Sequence, residues 1–146
     1  MIGLLQRVSH AEVNVGGELI GKIGPGLMVL VAVHRDDTDK DVARLAERLL
    51  GYRVFADDEG RMNRSVRDID GGLLLVPQFT LTADTKKGTR ASFTKGAAPD
   101  KASDYFDALV AACREELNTV ETGKFGADMQ VSLTNDGPVT FWLTTH

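Results

Sequence analysis

The chain has 146 residues, 42% hydrophobic and 26% charged, the mix of a globular domain with core enough to fold without disulfides or a structural metal. One cysteine, Cys113, excludes an internal disulfide and suits a reducing compartment, and no apolar run is long enough to span a bilayer, so a cytoplasmic protein without membrane attachment is expected. A net charge of −4 excludes a protein that coats nucleic acid through bulk charge.

The opening residues, Met1-Ile2-Gly3-Leu4-Leu5-Gln6-Arg7-Val8, are too short an apolar run for a signal peptide and lead straight into a strand over residues 2 to 8. Ala11 to Val15 alternates apolar and polar as a strand does. Gly16-Gly17 supplies the positive φ of a two-residue hairpin, and Glu18 to Ile23 returns the chain. After Gly24-Pro25-Gly26 turns it again, the unbroken apolar run Leu27 to Val33 predicts a strand covered on both faces. Thr38 or Asp39 caps a helix whose inner face is Val42, Leu45, Ala46, Leu49 and Leu50, and Gly51 closes it. Tyr52 to Phe55 predicts a short strand. Asp57-Asp58-Glu59-Gly60 reads as a turn, because a hard cation takes ligands that converge from spaced positions; Arg61 to Asp70 is polar and irregular.

Gly71-Gly72 leads into Leu73-Leu74-Leu75-Val76, a buried strand that runs into Pro77-Gln78-Phe79-Thr80. Proline cannot donate to a ladder, so Pro77 belongs at an edge, a bulge or the strand's end, where backbone groups come free of pairing. From Lys86 to Lys95 the chain carries four positive charges, Lys86, Lys87, Arg90 and Lys95, with no acid among them, which makes either a solvated loop or a local grip on phosphates. Pro99 opens a second helix with Phe106, Leu109, Val110, Cys113 and Leu117 inward, so Cys113 reads as a core residue. Val120 to Gly126 reads as a polar link. Two strand-like runs, Met129 to Leu133 and Val139 to Leu143, flank Asn135-Asp136-Gly137-Pro138-Val139-Thr140 in the pattern of a hairpin or a strand crossing. The order of elements predicts an α+β fold, a single domain over residues 1–146 in which mixed β-sheets close into a barrel-like core with two main helices packed outside.

Signs of conventional catalytic machinery are few. His10, His34 and His146 lie in no nucleophile or zinc-ligand motif, no phosphate-binding loop or dinucleotide fingerprint is present, and neither metal nor cofactor is expected. An enzyme can work without an acid/base pair if its substrate is already activated, by positioning the reacting group and offering donors to a developing oxyanion. The Phe79 and Thr80 amides, the Gln78 carboxamide and the Thr80 hydroxyl are candidates; a plain strand with Phe79 in the core is the alternative. At Gly137-Pro138 the glycine permits close approach and the proline fixes φ, so both carbonyls can point outward unshared. A cis bond would hold them nearly parallel, while a trans bond would make an ordinary turn, the commoner state of X-Pro bonds.

Together these two segments resemble the D-aminoacyl-tRNA deacylase family, whose signature stretches are Ser-Gln-x-Thr and Asn-x-Gly-Pro-Val-Thr. The likeness runs through Gln6-Arg7-Val8, Gly51-Tyr52-Arg53, Ala83-Asp84-Thr85, Arg90, Ser92-Phe93 and Ala127 to Val131, so it covers nearly the whole chain. The resemblance implies hydrolysis of the ester joining a D-amino acid, or glycine, to the 3′-terminal adenosine of tRNA. It implies a cis bond between Gly137 and Pro138, whose carbonyls enter the partner's site in a homodimer and exclude an L side chain, and catalytic roles for Gln78, Phe79 and Thr80. Thr80 is expected to position rather than attack, with the substrate's 2′-hydroxyl assisting a water. Contacts to tRNA are expected from Lys86, Lys87, Arg90 and Lys95 on charge, and from Met129 at the terminal adenosine. Two residues depart from the family pattern: Pro77 stands where serine is usual, and Ala91 where proline commonly follows Arg90. A non-catalytic tRNA-binding module and a small-molecule esterase are the alternatives.

Overall fold

The strand β1 (Ile2–Val15) is the spine of the protein, because three other strands pair with it. The computed structural model describes all residues, 1–146. β2 (Glu18–Ile23) returns antiparallel to the far half of β1 through the Gly16-Gly17 turn, where φ is +57° and +83°, and β3 (Gly26–Ala32) pairs antiparallel with the near half. Then come α1 (Asp39–Gly51), a small hairpin of β4 (Phe55–Ala56) and β5 (Met62–Arg64), and β6 (Gly72–Pro77), which lies parallel to β3. A 3-10 turn (Phe79–Thr82), α2 (Pro99–Arg114), β7 (Thr119–Thr122) and β8 (Gln130–Thr144) complete the chain. The sheet order is β2-β1-β3-β6-β7, with β8 laid along β1 as well.

Alternation on β3 and β6 divides the interior. Leu27, Val29, Val31, Leu73 and Leu75 join the inner faces of both helices in one core, whereas Met28, Leu74 and Val76 meet Val8, Ala11, Val13 and Ile23 in a second core on the other face. Both runs are therefore covered on both faces, as their continuous hydrophobicity requires. The sheet nearly closes on itself where β2 reaches β7: a Cβ on Gly21 would come within 2.9 Å of the Thr122 carbonyl, so only glycine permits the approach. The result is a barrel-like sheet with two helices outside, the α+β architecture expected from the sequence.

The local predictions fare unevenly. α1 has the expected face, Val42, Leu45, Ala46, Leu49 and Leu50, and the amide of its cap Thr38 donates to the Asp41 carboxylate (2.8 Å). α2 begins at Pro99, and Cys113 is buried, its thiol pushed up to about 12 by desolvation and by nearby Glu116, so it stays protonated at neutral pH. Leu117 is buried but lies beyond the end of the helix. Residues 2–8 and 11–15 are one strand rather than two, since β8 pairs along almost all of it. The strand expected at Tyr52 to Phe55 is only Phe55–Ala56, and its partner β5 lies in the stretch read as irregular; Asp57 joins them by accepting from the Glu59 and Arg61 amides, both at 2.9 Å. The supposed link after Val120 includes β7, whose register against β6 starts at Gly72↔Thr119. Four residues with one buried side chain are too short a pattern to read; the parallel partner 47 positions earlier makes the strand.

The two ends of the chain meet beside α1. The Met1 amine donates to the buried Asp37 carboxylate (2.7 Å), and His146 Nε2 lies 2.6 Å from the same oxygen. Burial pushes the neighbouring Asp41 carboxyl up, but bonds from Thr145 and Thr38 and the charges of the amino terminus and His146 bring it down to about 2.

Candidate active site

The end of β6 creates the site. β6 follows β3 to Val31↔Pro77, and the Gln78 amide still donates to the Val31 carbonyl (2.7 Å); Pro77, with no N–H, sits at the last ladder position, the strand end its chemistry called for. The chain then winds into the 3-10 turn. Leu81 and Ala83 amides donate to the Gln78 and Thr80 carbonyls (3.3 and 3.1 Å), and the buried Thr82 hydroxyl donates to the Phe79 carbonyl (2.8 Å). The Phe79 and Thr80 amides open this turn and so have no acceptor within it, which leaves two neighbouring donors for another oxygen. The Thr80 hydroxyl is engaged by the Gln78 carboxamide, and no imidazole, amine or carboxylate is hydrogen-bonded to it. Phe79 is 63% exposed, so the alternative of a plain core strand is excluded.

Beside the turn opens a cavity of about 560 Å³, lined chiefly by Pro77, Gln78, Phe79, Pro99, Phe125 and Met129. It lies between the end of β6, the start of α2 and the segment that enters β8. Met129 is fixed against its wall, its sulfur accepting from the Lys124 amide (3.3 Å) and lying where a Cβ on Gly123 would come within 2.8 Å. Of the residues singled out in the sequence, Gln78, Phe79 and Met129 are thus brought together, with Thr80 on the adjoining turn.

The basic loop is attached to this mouth through the Phe79 and Phe93 rings, 5.3 Å apart. Lys86, Lys87 and Arg90 are exposed, but Lys95 is 3.6 Å from Asp84, an acid just outside the stretch read as purely cationic. The Lys86 amide donates to Asp84 (3.0 Å) and, with the Lys95 and Lys86 charges, holds its carboxyl below the usual range. The loop is closed beside Ala91 by the mutual backbone bonds of Asp84 and Ser92 (2.7 and 3.0 Å).

Gly137 and Pro138 lie elsewhere. Their segment is neither a hairpin nor a strand crossing, because both flanks pair with β1. Between Gln6↔Thr140 and Val8↔Asn135, β1 places only Arg7 whereas β8 places Asp136, Gly137, Pro138 and Val139, so the extra residues loop out of the ladder. The Gly137-Pro138 bond is cis, and residues 136–138 are exposed. The Asn135 carboxamide closes the base of the loop, accepting from the Val139 amide (2.8 Å) and donating to its carbonyl (3.1 Å). Arg7 braces it from β1: Nε donates to the Asp136 carbonyl (2.8 Å) and Nη1 to the Val54 carbonyl (2.6 Å). Sequence reading gave Arg7 no structural role; its position opposite the loop exists only through the register of β8. Neither Gly137 nor Pro138 lines the cavity of its own chain.

The α+β barrel thus sets an apolar cavity at the end of a parallel strand, with main-chain donors at its mouth and cations beside it. The chain belongs to the D-Tyr-tRNA(Tyr) deacylase family, whose model matches residues 4–144. It is 60% identical over 143 residues to the D-aminoacyl-tRNA deacylase of Alkalilimnicola ehrlichii, covering 98% of this chain and 95% of the relative. Its identity to the enzyme of the same name from Cronobacter sakazakii is 57%, covering 98% and 99%. A solved structure named c-Myc DNA Unwinding Element Binding Protein, 36% identical, superposes with a TM-score of 0.96 over 100% of this chain and 99% of that one. No helix is long and apolar enough to cross a membrane.

Proposed function

We propose that this protein hydrolyses the ester joining a D-amino acid, or glycine carried by the wrong tRNA, to the 3′-terminal adenosine of tRNA, releasing amino acid and tRNA in the cytoplasm. The activity for which its relatives are named supports the substrate. The observation that carries the mechanism is the exposure of Gly137 and Pro138 outside their own chain's cavity. In a two-fold homodimer each loop enters the cavity of the other subunit, and the carbonyls of Gly137 and Pro138 face the α-carbon and amino group of the substrate. An L side chain has no room there; a D side chain points outward and is not read.

The terminal adenosine occupies the cavity among Pro99, Phe125 and Met129. Water attacks the ester carbonyl, the oxyanion accepts from the Phe79 and Thr80 amides, and the 3′-oxygen leaves with a proton as a ribose hydroxyl. The 2′-hydroxyl of the same ribose assists the water. Thr80, its hydroxyl engaged by Gln78, positions rather than attacks, since a nucleophile would need a base beside it. Lys86, Lys87, Arg90 and Lys95 meet the phosphates.

Incubation with labelled D-tyrosyl-tRNA and L-tyrosyl-tRNA tests the proposal: the D label is released and the L label retained. Binding without release would indicate a tRNA-binding module, and cleavage of simple esters without tRNA a general esterase. A Thr80→Ala enzyme that binds substrate but has lost all turnover would count against a merely positioning role for Thr80. Replacing Lys86 and Lys87 with alanine should weaken tRNA binding and lower its salt slope by about 1.5, from roughly 0.7–0.9 per phosphate contact.

A further inference from the structure

We propose that the exposed ring pair of Phe79 and Phe93 is a stacking platform for the unpaired base next to the terminal nucleotide, as the strand enters the cavity; this rests on the tRNA reading above. Phe79 is 63% and Phe93 46% exposed, with ring centroids 5.3 Å apart at 56°. Two phenylalanines turned to water side by side forgo burial that either would gain in a core. Both are held on anchored backbone. The Thr82 hydroxyl and the Gly96 amide donate to the Phe79 and Phe93 carbonyls (2.8 and 3.2 Å), and a Cβ on Gly96 would come within 2.8 Å of the Thr82 hydroxyl. The backbone that carries the rings is thus preorganised, which lowers the cost of stacking a flat ligand.

Position and charge identify that ligand. Phe79 also lines the cavity, so the rings lie on one way out for a strand whose last nucleotide is inside. Exposed Lys86, Lys87 and Arg90 share the segment with Phe93. Aromatic faces interleaved with cations fit single-stranded nucleic acid, whose bases stack while its phosphates meet the charge.

The test uses the full-length protein and an uncharged RNA tetranucleotide, ACCA, beside the same oligonucleotide lacking the penultimate base. Phe93→Leu should weaken ACCA binding by about 5- to 150-fold, the range for loss of one stacked base, while Phe93→Tyr binds as the parent does and the abasic probe is indifferent to either change. Parent-like affinity of Phe93→Leu for ACCA, or equal losses for both probes, overturns the platform. If sedimentation instead shows a weakened subunit association with oligonucleotide affinity unchanged, the rings face a second copy and the proposal is wrong. Because the probe is uncharged, this result stands apart from release of label from D-tyrosyl-tRNA by the parent protein, so either reading can fail alone.

Discussion

The turn at Pro77–Thr82 and the loop at Asn135–Thr140 both form where a ladder gives out, yet they are held in opposite ways. The turn continues a buried strand, keeps one bond to β3 through the Gln78 amide, and is locked from inside by the buried Thr82 hydroxyl. The loop stands away from β1 and is fixed by two polar side chains at its base, Asn135 and Arg7. A donor site needs amides whose direction is fixed by the core behind them. In the proposed homodimer a probe that enters the other subunit must instead protrude while remaining stiff, which side-chain bonds across its neck allow. Main-chain groups thus become available by two routes, and the sheet is the scaffold for both.

The largest expected effect comes from Gly137→Ala. A Cβ there runs into the Val139 amide nitrogen and lies 2.7 Å from its Cγ2, so the loop must shift. Overpacking of this kind costs roughly 1–3 kcal/mol. The ratio of D- to L-tyrosyl-tRNA hydrolysis should fall by about 5- to 150-fold and the melting temperature by a few degrees; an unchanged ratio would separate the loop from discrimination. Asn135→Ala removes the bonds across the neck to Val139 and Thr140, at about 0.5–1.5 kcal/mol each, whereas Asn135→Asp keeps the acceptor for the Val139 amide. Discrimination should decline in the order parent, Asp, Ala.

The other region should respond differently. Thr82→Val leaves the Phe79 carbonyl without its hydroxyl partner, at a cost of about 1–2 kcal/mol, and should lower kcat for D-tyrosyl-tRNA while the D to L ratio stays constant; Thr82→Ser should restore the rate. A ratio that changes with Thr82 would mean the two regions are not independent. Asp41 bears on the stability of the fold rather than on discrimination. Its carboxyl is lowered to about 2 in the folded chain, so it adds stability above its unfolded value of about 4 and loses that contribution as the pH falls toward 2. Denaturant titrations at pH 4 and pH 2.5 should show Asp41→Asn flattening this decline, with both regions unfolding together.

Much of this was legible in the order of residues. The glycine pair between β1 and β2, the inner face of α1, Pro99 at the head of α2 and the doubly covered strands β3 and β6 follow from local chemistry, because a turn, a cap or an alternation is written within a few neighbouring positions. Pro77 likewise announced the end of a strand, and so the place where amides come free. What only the tertiary structure decided depends on partners far away in the chain. The register of β8 on β1 turned an apparent hairpin into a bulged strand and set Arg7 beneath the loop, 129 positions from Asp136. β7 became a strand because β6 was there to receive it, and the cavity arose from three segments that share no sequence signal. Pairing over such separations is fixed by how whole faces pack, a collective property that no short stretch of residues carries.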